Sequence, residues 1–276
     1  MMFKDILVWL DNPNRKPLTE YQTKEIDDST IECWVPSTEG MHFEIKFIAM
    51  PWLHRGFDLN AQVQLDGVEL DGVAVYADEI KAGQEASMRG HHTSNSTLRL
   101  FSFGKRILTD REDIAPSGGL SQDDLNSIRV TFEWGHAGEE ARTTDFVIPE
   151  ENKPMHEKAA KKGHSGSAGL GGTANLTSES LTCDFKPSDE IKPIVFVFRY
   201  GPEDWLQARE IIPPENPPSL KREYSNTPDI IDVDDLEVED DQDIMIVKHL
   251  VPAPVVSNVK RRKIKDEDDV KLKLES

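Results

Sequence analysis

Apolar and polar residues alternate with a period of two along several short segments of the first three quarters of the chain. In Ser127–Trp134 every second residue is apolar: Ile128, Val130, Phe132 and Trp134. Side chains of a β-strand point alternately to its two faces, so this pattern predicts a strand with one buried and one solvated face. In a second predicted strand, the two faces are Leu98, Leu100 and Ser102 against Arg99, Phe101 and Phe103.

Comparable patterns recur at short intervals and predict the strands Phe3–Leu10, Thr30–Val35, His42–Met50, Asn60–Leu65, Val73–Ala77, Thr97–Phe103, Ser127–Trp134, Thr143–Ile148 and Ile194–Tyr200. Turn sequences separate them, among them Asp66-Gly67, whose position suits a tight hairpin. Strands and helices do not alternate, which argues against a parallel doubly wound sheet. The sequence therefore predicts an all-β fold, an antiparallel β-sandwich-like domain over residues 1–212.

One or two short helices are predicted beside the strands. Lys153–Lys162 is charged and is followed by Gly163, and Pro202–Glu210 places proline in a first helical turn. Glycine and serine predict a mobile loop from Gly163 to Gly172, and Gly90–Ser96 is predicted to be a polar loop.

Composition changes after Ile212. The prolines between Pro213 and Pro218 interrupt regular structure, and the residues beyond them contain a single aromatic residue, Tyr224. Such a segment buries too little apolar surface to offset the chain entropy lost on folding. We therefore predict that residues 213–276 form a disordered tail in which acidic and basic blocks are separated.

Charge and cysteine content narrow the class of protein. The chain has 32 basic and 51 acidic residues, a net charge of -19, which disfavours nucleic acid and anionic membranes as partners. No segment offers the roughly 20 consecutive apolar residues of a membrane span, and the N-terminal run is predicted to be a strand, not a signal peptide. The two cysteines, Cys33 and Cys183, are expected to be free buried thiols in a reducing compartment.

Several segments together resemble a known family. The closing segment Phe196-Val197-Phe198-Arg199-Tyr200, with Leu206-Gln207-Ala208 and Ile211-Ile212-Pro213 after it, is similar to the closing signature of domain-of-unknown-function family 7918. The other matching landmarks are Ile31-Glu32-Cys33-Trp34-Val35, Gln64-Leu65-Asp66-Gly67, and His156-Glu157-Lys158-Ala159 before Lys161-Lys162-Gly163. The resemblance covers roughly residues 3–213. It implies a β-rich domain from a mushroom-forming fungus, and it brings no catalytic or binding residues with it.

The sequence contains no complete catalytic or metal-binding motif. The pair His91-His92 has no Cys, Asp or Glu at ligand spacing, so a solvated loop is favoured over a zinc site. Gly163-His164-Ser165-Gly166-Ser167 lacks the last glycine of a nucleophile elbow and does not follow a strand. We therefore predict no catalytic residues, no cofactor and no metal.

The tail carries candidate interaction motifs. Ile230-Ile231-Asp232-Val233-Asp234-Asp235 is typical of a SUMO-interacting motif, in which Ile230, Ile231 and Val233 fill a groove while Asp234 and Asp235 meet basic residues. Ile244-Met245-Ile246-Val247 is a weaker second candidate. The alternative for both is an incidental β-prone patch in an acidic linker.

Three tail lysines match the SUMO acceptor pattern of an aliphatic residue, Lys, any residue and Glu: Lys221, Lys265 and Lys273. Lys265 also has acidic residues downstream. The basic run of Lys260, Arg261, Arg262 and Lys263 is typical of a nuclear import signal, although it also suits a solvated charge run.

Two hypotheses follow. The first is a non-enzymatic interaction protein of the nucleus, or of nucleus and cytoplasm, with SUMO and an import receptor as partners of a regulatory tail. The alternative is a hydrolase or a carbohydrate-active or carbohydrate-binding protein on the sandwich. A pocket lined by His, Asp or Glu with shifted pKa values would favour the alternative.

Overall fold

The computed structural model describes residues 1–110, 123–142, 146–150, 155–156, 164–177 and 179–213. The chain divides into two units, Met1–Ser219 and Leu220–Ser276, and every described residue lies in the first. Strands dominate that unit, which confirms the predicted all-β class. No described helix is long and apolar enough to cross a membrane.

The strands and helices of the described residues follow one another as β1 (Met2–Phe3), β2 (Ile6–Asp11), β3 (Tyr21–Glu25), β4 (Thr30–Pro36), β5 (Glu44–Ala49), β6 (Asp58–Leu65), β7 (Val68–Glu69), β8 (Val73–Val75), α1 (Ala77–Lys81), β9 (Ala86–Met88), β10 (Gly90–Ser94), β11 (Thr97–Lys105), β12 (Leu108–Thr109), β13 (Ser127–Ala137), β14 (Ala141–Arg142), β15 (Met155–His156), β16 (Gly166–Asn175), β17 (Leu181–Thr182), β18 (Phe185–Pro187), β19 (Ile194–Gly201) and α2 (Glu203–Ala208).

The largest sheet has the order β3-β4-β19-β13-β6-β7, with β18 beside β13 and β8 beside β6. A second sheet has the order β1-β2-β5-β9, and a third the order β10-β11-β16. Neighbouring strands in these three sheets are antiparallel except β4 and β19, which are parallel. The small pairs β12-β15 and β14-β17 complete the described pairing.

Aromatic contacts join the sheets face to face. Phe47 of the second sheet meets Phe132 of the large sheet at 5.0 Å between ring centroids, and Phe103 of the third sheet meets Tyr200 at 5.2 Å. All four residues are buried. Such tilted and edge-on ring pairs add to the burial of apolar area that holds layered sheets together. The arrangement is the sandwich-like architecture that the alternation predicts.

Some predicted elements are different in the structure. Phe3–Leu10 is a hairpin and not one strand, because Lys4 and Asp5 take positive φ values of 47° and 60° and turn the chain between β1 and β2. Of Thr143–Ile148, the described residues Phe146–Ile148 are not a strand. Of the predicted helix Lys153–Lys162, the two described residues form β15, which pairs with β12, and the others lie outside the described residues.

Two predicted loops are strands. Gly90–Ser94 is β10, and the glycine-rich segment Gly166–Asn175 is β16; both pair with β11. Neither shows an alternating pattern in sequence, since β10 is polar and β16 is mostly small residues, so their pairing with β11 determines their structure. The helix predicted at Pro202–Glu210 is confirmed as α2, whereas α1 and the strands β3, β9 and β18 were not predicted.

Candidate functional site

A polar cleft of about 620 Å³ is lined by several titratable side chains. Asn60 and Gln62 of β6, His92 of β10 and Cys183 after β17 lie on its walls. Asp71, Tyr76, Arg89 and Glu140 line it as well. Clefts with convergent polar groups are the usual place for a ligand or a reaction. We call this set of residues the polar cleft.

The Asp71 carboxylate organises one side of the polar cleft. Its Oδ2 accepts hydrogen bonds from the backbone N–H of His92 at 2.7 Å and from His92 Nδ1 at 3.0 Å. Its Oδ1 lies 3.0 Å from His91 Nδ1. Burial opposes ionisation of Asp71, but the hydrogen bonds from the two imidazoles outweigh it and lower the pKa of Asp71. The site therefore holds a carboxylate between two histidines.

A tight turn brings Asp71 to this position. Gly72 follows it, and a Cβ on Gly72 would lie 2.7 Å from the carbonyl oxygen of Ala61, so only glycine allows β6 and the turn to approach so closely. The sequence places Asp71 and His92 twenty-one residues apart, and only the meeting of the turn with β10 brings them together.

His92 has the geometry of an oriented imidazole. Because a carboxylate accepts and never donates, Nδ1 carries the proton toward Asp71, and in the neutral ring Nε2 is then the acceptor. Nε2 has no hydrogen-bond partner among the described residues, and the side chain is one third exposed. An Asp–His pair with a free Nε2 is suited to accept a proton or a hydrogen bond from a bound hydroxyl group or water.

His91 points the other way and has a structural role. It is 5% exposed. Its Nε2 donates to the carbonyl oxygen of Val147 at 2.7 Å while Nδ1 faces Asp71. Nδ1 also lies 3.3 Å from the backbone N–H of Asp71, and the hydrogen bond to the Asp71 side chain raises the pKa of His91. The prediction of a solvated His91-His92 loop is therefore wrong, because Asp71 supplies a partner that sequence spacing conceals.

A second pair faces the polar cleft. The Tyr76 hydroxyl donates to Glu140 Oε1 at 3.1 Å. Burial, the hydrogen bond to Glu140 and the neighbouring Cys183 raise the pKa of Tyr76 to about 12. The Arg89 side chain is exposed and makes no hydrogen bond or ion pair with a described residue. The cleft thus offers acceptors at His92 and Glu140 and a donor at Arg89.

The described side chains do not form a metal site. Within the described ranges, no three His, Cys, Asp or Glu side chains come close enough together to hold a metal ion. Cys33 is buried and Cys183 half-buried, and both are free thiols. Burial raises the pKa of the Cys33 thiol well above its usual value, so Cys33 is an inert core residue.

A separate buried cluster surrounds Asp66. Its carboxylate accepts from Arg106 Nη2 at 2.6 Å, from the Tyr200 hydroxyl at 2.7 Å, and from the backbone N–H groups of Ser127 and Ala168, both at 3.1 Å. Burial raises the pKa of Asp66, and Arg106 and Tyr200 oppose that rise. All four donors engage the buried carboxylate, so the cluster is structural.

His164, from the elbow-like segment, is also structural. Its Nε2 donates to the carbonyl oxygen of Tyr200 at 2.6 Å, and its Nδ1 accepts from the N–H of Gly166 at 3.0 Å. Both ring nitrogens are therefore engaged, and burial lowers the pKa of His164. This arrangement agrees with the sequence argument against a nucleophile elbow.

The tail residues singled out in sequence lie outside the described residues. They are Lys221, Ile230, Ile231, Val233, Asp234, Asp235, Lys260, Arg261, Arg262, Lys263, Lys265 and Lys273. The structure gives no geometry for them. Conversely, sequence reasoning missed Asp71, Tyr76 and Glu140, whose only signal was the turn Asp71-Gly72.

The landmarks of the family resemblance meet in the structure. The strand containing Cys33 and Trp34 pairs in parallel with Phe196–Tyr200, and Arg199 Nε donates to Glu32 Oε2 at 2.8 Å. Trp34 packs on Trp205 at 5.8 Å, and Asp66 of the Asp-Gly turn accepts from Tyr200. The described landmarks of residues 31–35, 64–67 and 196–206 thus contact one another in the fold.

Comparison with known proteins agrees with this pattern. Residues 13–215 match the family described as a domain of unknown function, DUF7918. No curated protein and no solved structure shows significant similarity to the chain. Because the match spans well over half of the 276 residues, the chain belongs to the DUF7918 family.

Proposed function

We propose that this protein is a non-enzymatic interaction protein of the nucleus, or of nucleus and cytoplasm, whose C-terminal tail binds SUMO and accepts it. One observation carries the proposal: the segment Ile230–Asp235 combines three aliphatic residues with an acidic flank. An extended segment of this kind adds as a strand to the edge of a sheet, where its aliphatic side chains enter a groove. The acidic residues then pair with basic residues of the partner.

The affinity of such a segment is expected to be weak. Its burial contributes roughly 25 cal/mol per Å² of apolar area, and ordering the chain opposes this gain, so Kd should be on the order of micromolar or poorer. Higher salt should weaken binding, because exposed charges are screened. The fungal source implied by the resemblance stays a prediction.

Titration of the full-length protein with SUMO, followed by NMR, tests the proposal. Replacing Ile231 and Val233 with Ala should abolish binding. The matched control replaces Val255 and Val256, a tail pair of valines without an acidic flank, and should leave binding unchanged. Equal shifts in both variants, or no shifts in the wild type at millimolar SUMO, would refute the motif.

Acceptor use is tested by reconstituted conjugation. Lys265 should be modified ahead of Lys221 and Lys273, because it alone is followed by a dense acidic run. Lys265→Arg should remove the main product and Lys263→Arg should not. If Lys265→Arg leaves conjugation unchanged, the acceptor assignment fails.

Nuclear import is tested with a fluorescent fusion of the full chain. Replacing Lys260, Arg261, Arg262 and Lys263 with Ala should move the fusion out of nuclei. Replacing Lys248 and Lys271, which lie outside the basic run, serves as the control. Unchanged nuclear accumulation of the first variant would rule out this signal.

A hydrolase, or a carbohydrate-active or carbohydrate-binding protein, is a second candidate, and the oriented His92 of the polar cleft favours it. A free Nε2 beside Glu140 and Arg89 suits a neutral ligand rich in hydroxyl groups. The full-length protein should then bind oligosaccharides on an array or hydrolyse chromogenic esters or glycosides. His92→Ala should remove the signal and His136→Ala, an exposed histidine outside the cleft, should not. If neither variant loses the signal, the polar cleft is not the binding or catalytic site.

A further inference from the structure

A second hollow, which we call the apolar pocket, lies between the large sheet and the third sheet. Leu65 and Val68 of the β6–β7 hairpin form one wall, and Phe103 of β11 with Ala168 and Leu170 of β16 forms another. Its volume is about 420 Å³. Small-molecule sites are concave, mostly apolar and roughly 300–1,000 Å³ in volume. The apolar pocket therefore has the size and wall chemistry of a ligand site.

The charges around the apolar pocket favour an uncharged ligand. Arg106 lines it, but its guanidinium is already paired with Asp66 at 2.6 Å. The other charged lining residues are Glu39 and Lys105, which are exposed and of opposite sign. An ionised ligand group inside the pocket would lose hydration without a new partner of net opposite charge.

Gly169 lines the apolar pocket on the β16 side. Glycine in a strand interior weakens the strand and marks a bulge, a bend or a close approach. The bulge of β11 and β16 lies between Arg99 and Phe101, whereas Gly169 pairs with Ser102. A Cβ on Gly169 would meet no atom within 4 Å beyond its chain neighbours. The protein's own packing therefore does not require glycine here.

Exposed apolar side chains belong to the lining of this pocket or directly precede a lining residue in the sequence. Ile107 is 67% exposed, Val147 75% and Ile148 71%. Ile107 lines the pocket, and so does Pro149, which follows Val147 and Ile148. The exposed Ile107 side chain adds apolar surface at the edge of the pocket.

We propose that the apolar pocket binds an uncharged, predominantly apolar small molecule, for which Gly169 leaves room. The ligand fills the space between the β6–β7 hairpin and β16 and covers the Ile107 side chain at the edge. This site is distinct from the polar cleft and independent of the tail.

Binding of the neutral fluorescent probe N-phenyl-1-naphthylamine to the full-length protein tests the proposal. Gly169→Leu fills the pocket. Gly172→Leu is the matched control, because Gly172 lies on the same strand, also has open space for a Cβ, and does not line the pocket. The wild type and Gly172→Leu should bind the probe saturably, and Gly169→Leu should bind it at least tenfold more weakly. Equal binding in the two variants, or no saturable binding by the wild type, overturns the proposal.

Competition and sedimentation experiments distinguish an uncharged small molecule from a charged ligand and from a second copy of the chain. Dodecanol should displace the probe better than dodecanoate or dodecyltrimethylammonium, and a preference for either charged amphiphile contradicts an uncharged ligand. A wild-type dimer that Gly169→Leu dissociates in sedimentation would show that a second copy fills the pocket, which also overturns the proposal. If Gly169→Leu does not fold, Val68→Trp fills the pocket from the hairpin, with Val73→Trp on the neighbouring strand as its control.

Discussion

The Asp66 carboxylate is a single residue that ties the large sheet to the third sheet. It sits in the β6–β7 turn with a φ of 46°, followed by Gly67 at 82°, the positive values that a tight hairpin turn requires. Its four partners all donate, so only the ionised carboxylate satisfies them. The β6–β7 turn and the anchoring of β16 thus depend on one side chain.

Replacing Asp66 with Asn should destabilise the domain strongly. Asn tolerates the positive φ about as well as Asp, so the change isolates the charge. Removing one member of a buried ion pair costs about 3–5 kcal/mol, and the Asn amide would also face four donors. Urea unfolding at neutral pH should show a loss of this size. Tyr200→Phe removes one hydrogen bond to the carboxylate and should cost less, about 1.5–3 kcal/mol; a loss for Asp66→Asn no larger than for Tyr200→Phe would contradict this account.

The contributions of His91 and His164 to the free energy of unfolding should depend on pH in opposite ways. Folding raises the pKa of His91, chiefly through Asp71, so its contribution is complete below the unfolded pKa of about 6.5 and is lost as pH rises through the folded pKa. Folding lowers the pKa of His164 through burial, so its contribution is complete above about pH 6.5 and falls as pH decreases toward the folded pKa.

Unfolding free energies of His91→Gln and His164→Gln, measured from pH 5 to 9, check these signs. The stability difference between wild type and His91→Gln should be largest at low pH and shrink toward pH 9. For His164→Gln the difference should be largest at high pH and shrink toward pH 5. The two variants are controls for each other, because a general effect of pH on the fold would change both differences in the same direction.

At the scale of elements, alternation predicted the strands that have one buried face. Ile128, Val130, Phe132 and Trp134 of β13 are all buried as expected. In β11 the same reasoning misplaced two residues: Leu98 is buried together with Phe101 and Phe103, not opposite them. The irregularity between Arg99 and Phe101 shifts the register by one residue and reverses the faces beyond it. A bulge depends on the partner strand, so the pattern of one strand does not reveal it.

The polar cleft could not be predicted from the sequence, because its contacts also depend on neighbouring strands and turns. His92 belongs to β10, a strand of polar residues without alternation, and Asp71 belongs to a turn between two short strands. Their contact depends on tertiary packing and not on a spacing along the chain. By contrast, the Asp66-Gly67 turn carries a local signal, and its hairpin is confirmed.

The β1–β2 hairpin offers a test of backbone strain. Lys4 and Asp5 both have positive φ, a conformation that costs a side-chain-bearing residue roughly 1–2 kcal/mol. Asp5→Gly relieves this strain but increases the freedom of the unfolded chain, so thermal unfolding should show a net gain of roughly 0.5–1 kcal/mol. The control, Lys4→Ala, keeps the strain and removes the Lys4 ammonium from the Phe3 ring, 5.5 Å away; it should give no gain. Destabilisation by Asp5→Gly would contradict the assigned turn.

At the scale of the whole molecule, the segments that carry the family resemblance contact one another and hold the domain together. Glu32, Trp34 and Asp66 meet Arg199, Trp205 and Tyr200 across three regions of the chain. Among these family landmarks, no described residue lines the polar cleft. Leu65, from the same landmarks, lines the apolar pocket. The landmarks thus account for the fold and do not by themselves identify a functional site, since one fold can carry many different sites.

The packing of Ile211 and Ile212 marks the end of the folded domain. Ile211 and Ile212 are buried with Leu206 against Tyr21, Trp34 and Trp205, and the proline-rich segment begins directly after them. Proteinase K digestion of the full chain, followed by mass spectrometry, should therefore leave a resistant fragment that ends between Pro213 and Ser219. Trp205→Ala removes the ring contact with Trp34, so the fragment of that variant should end earlier, while Trp52→Ala, at an exposed tryptophan, should leave the end unchanged. Early cuts between residues 30 and 135, with residues 213–276 intact, would contradict the boundary. They would mean that residues 213–276 are the cooperatively packed part of the chain, although their composition is least able to bury apolar surface.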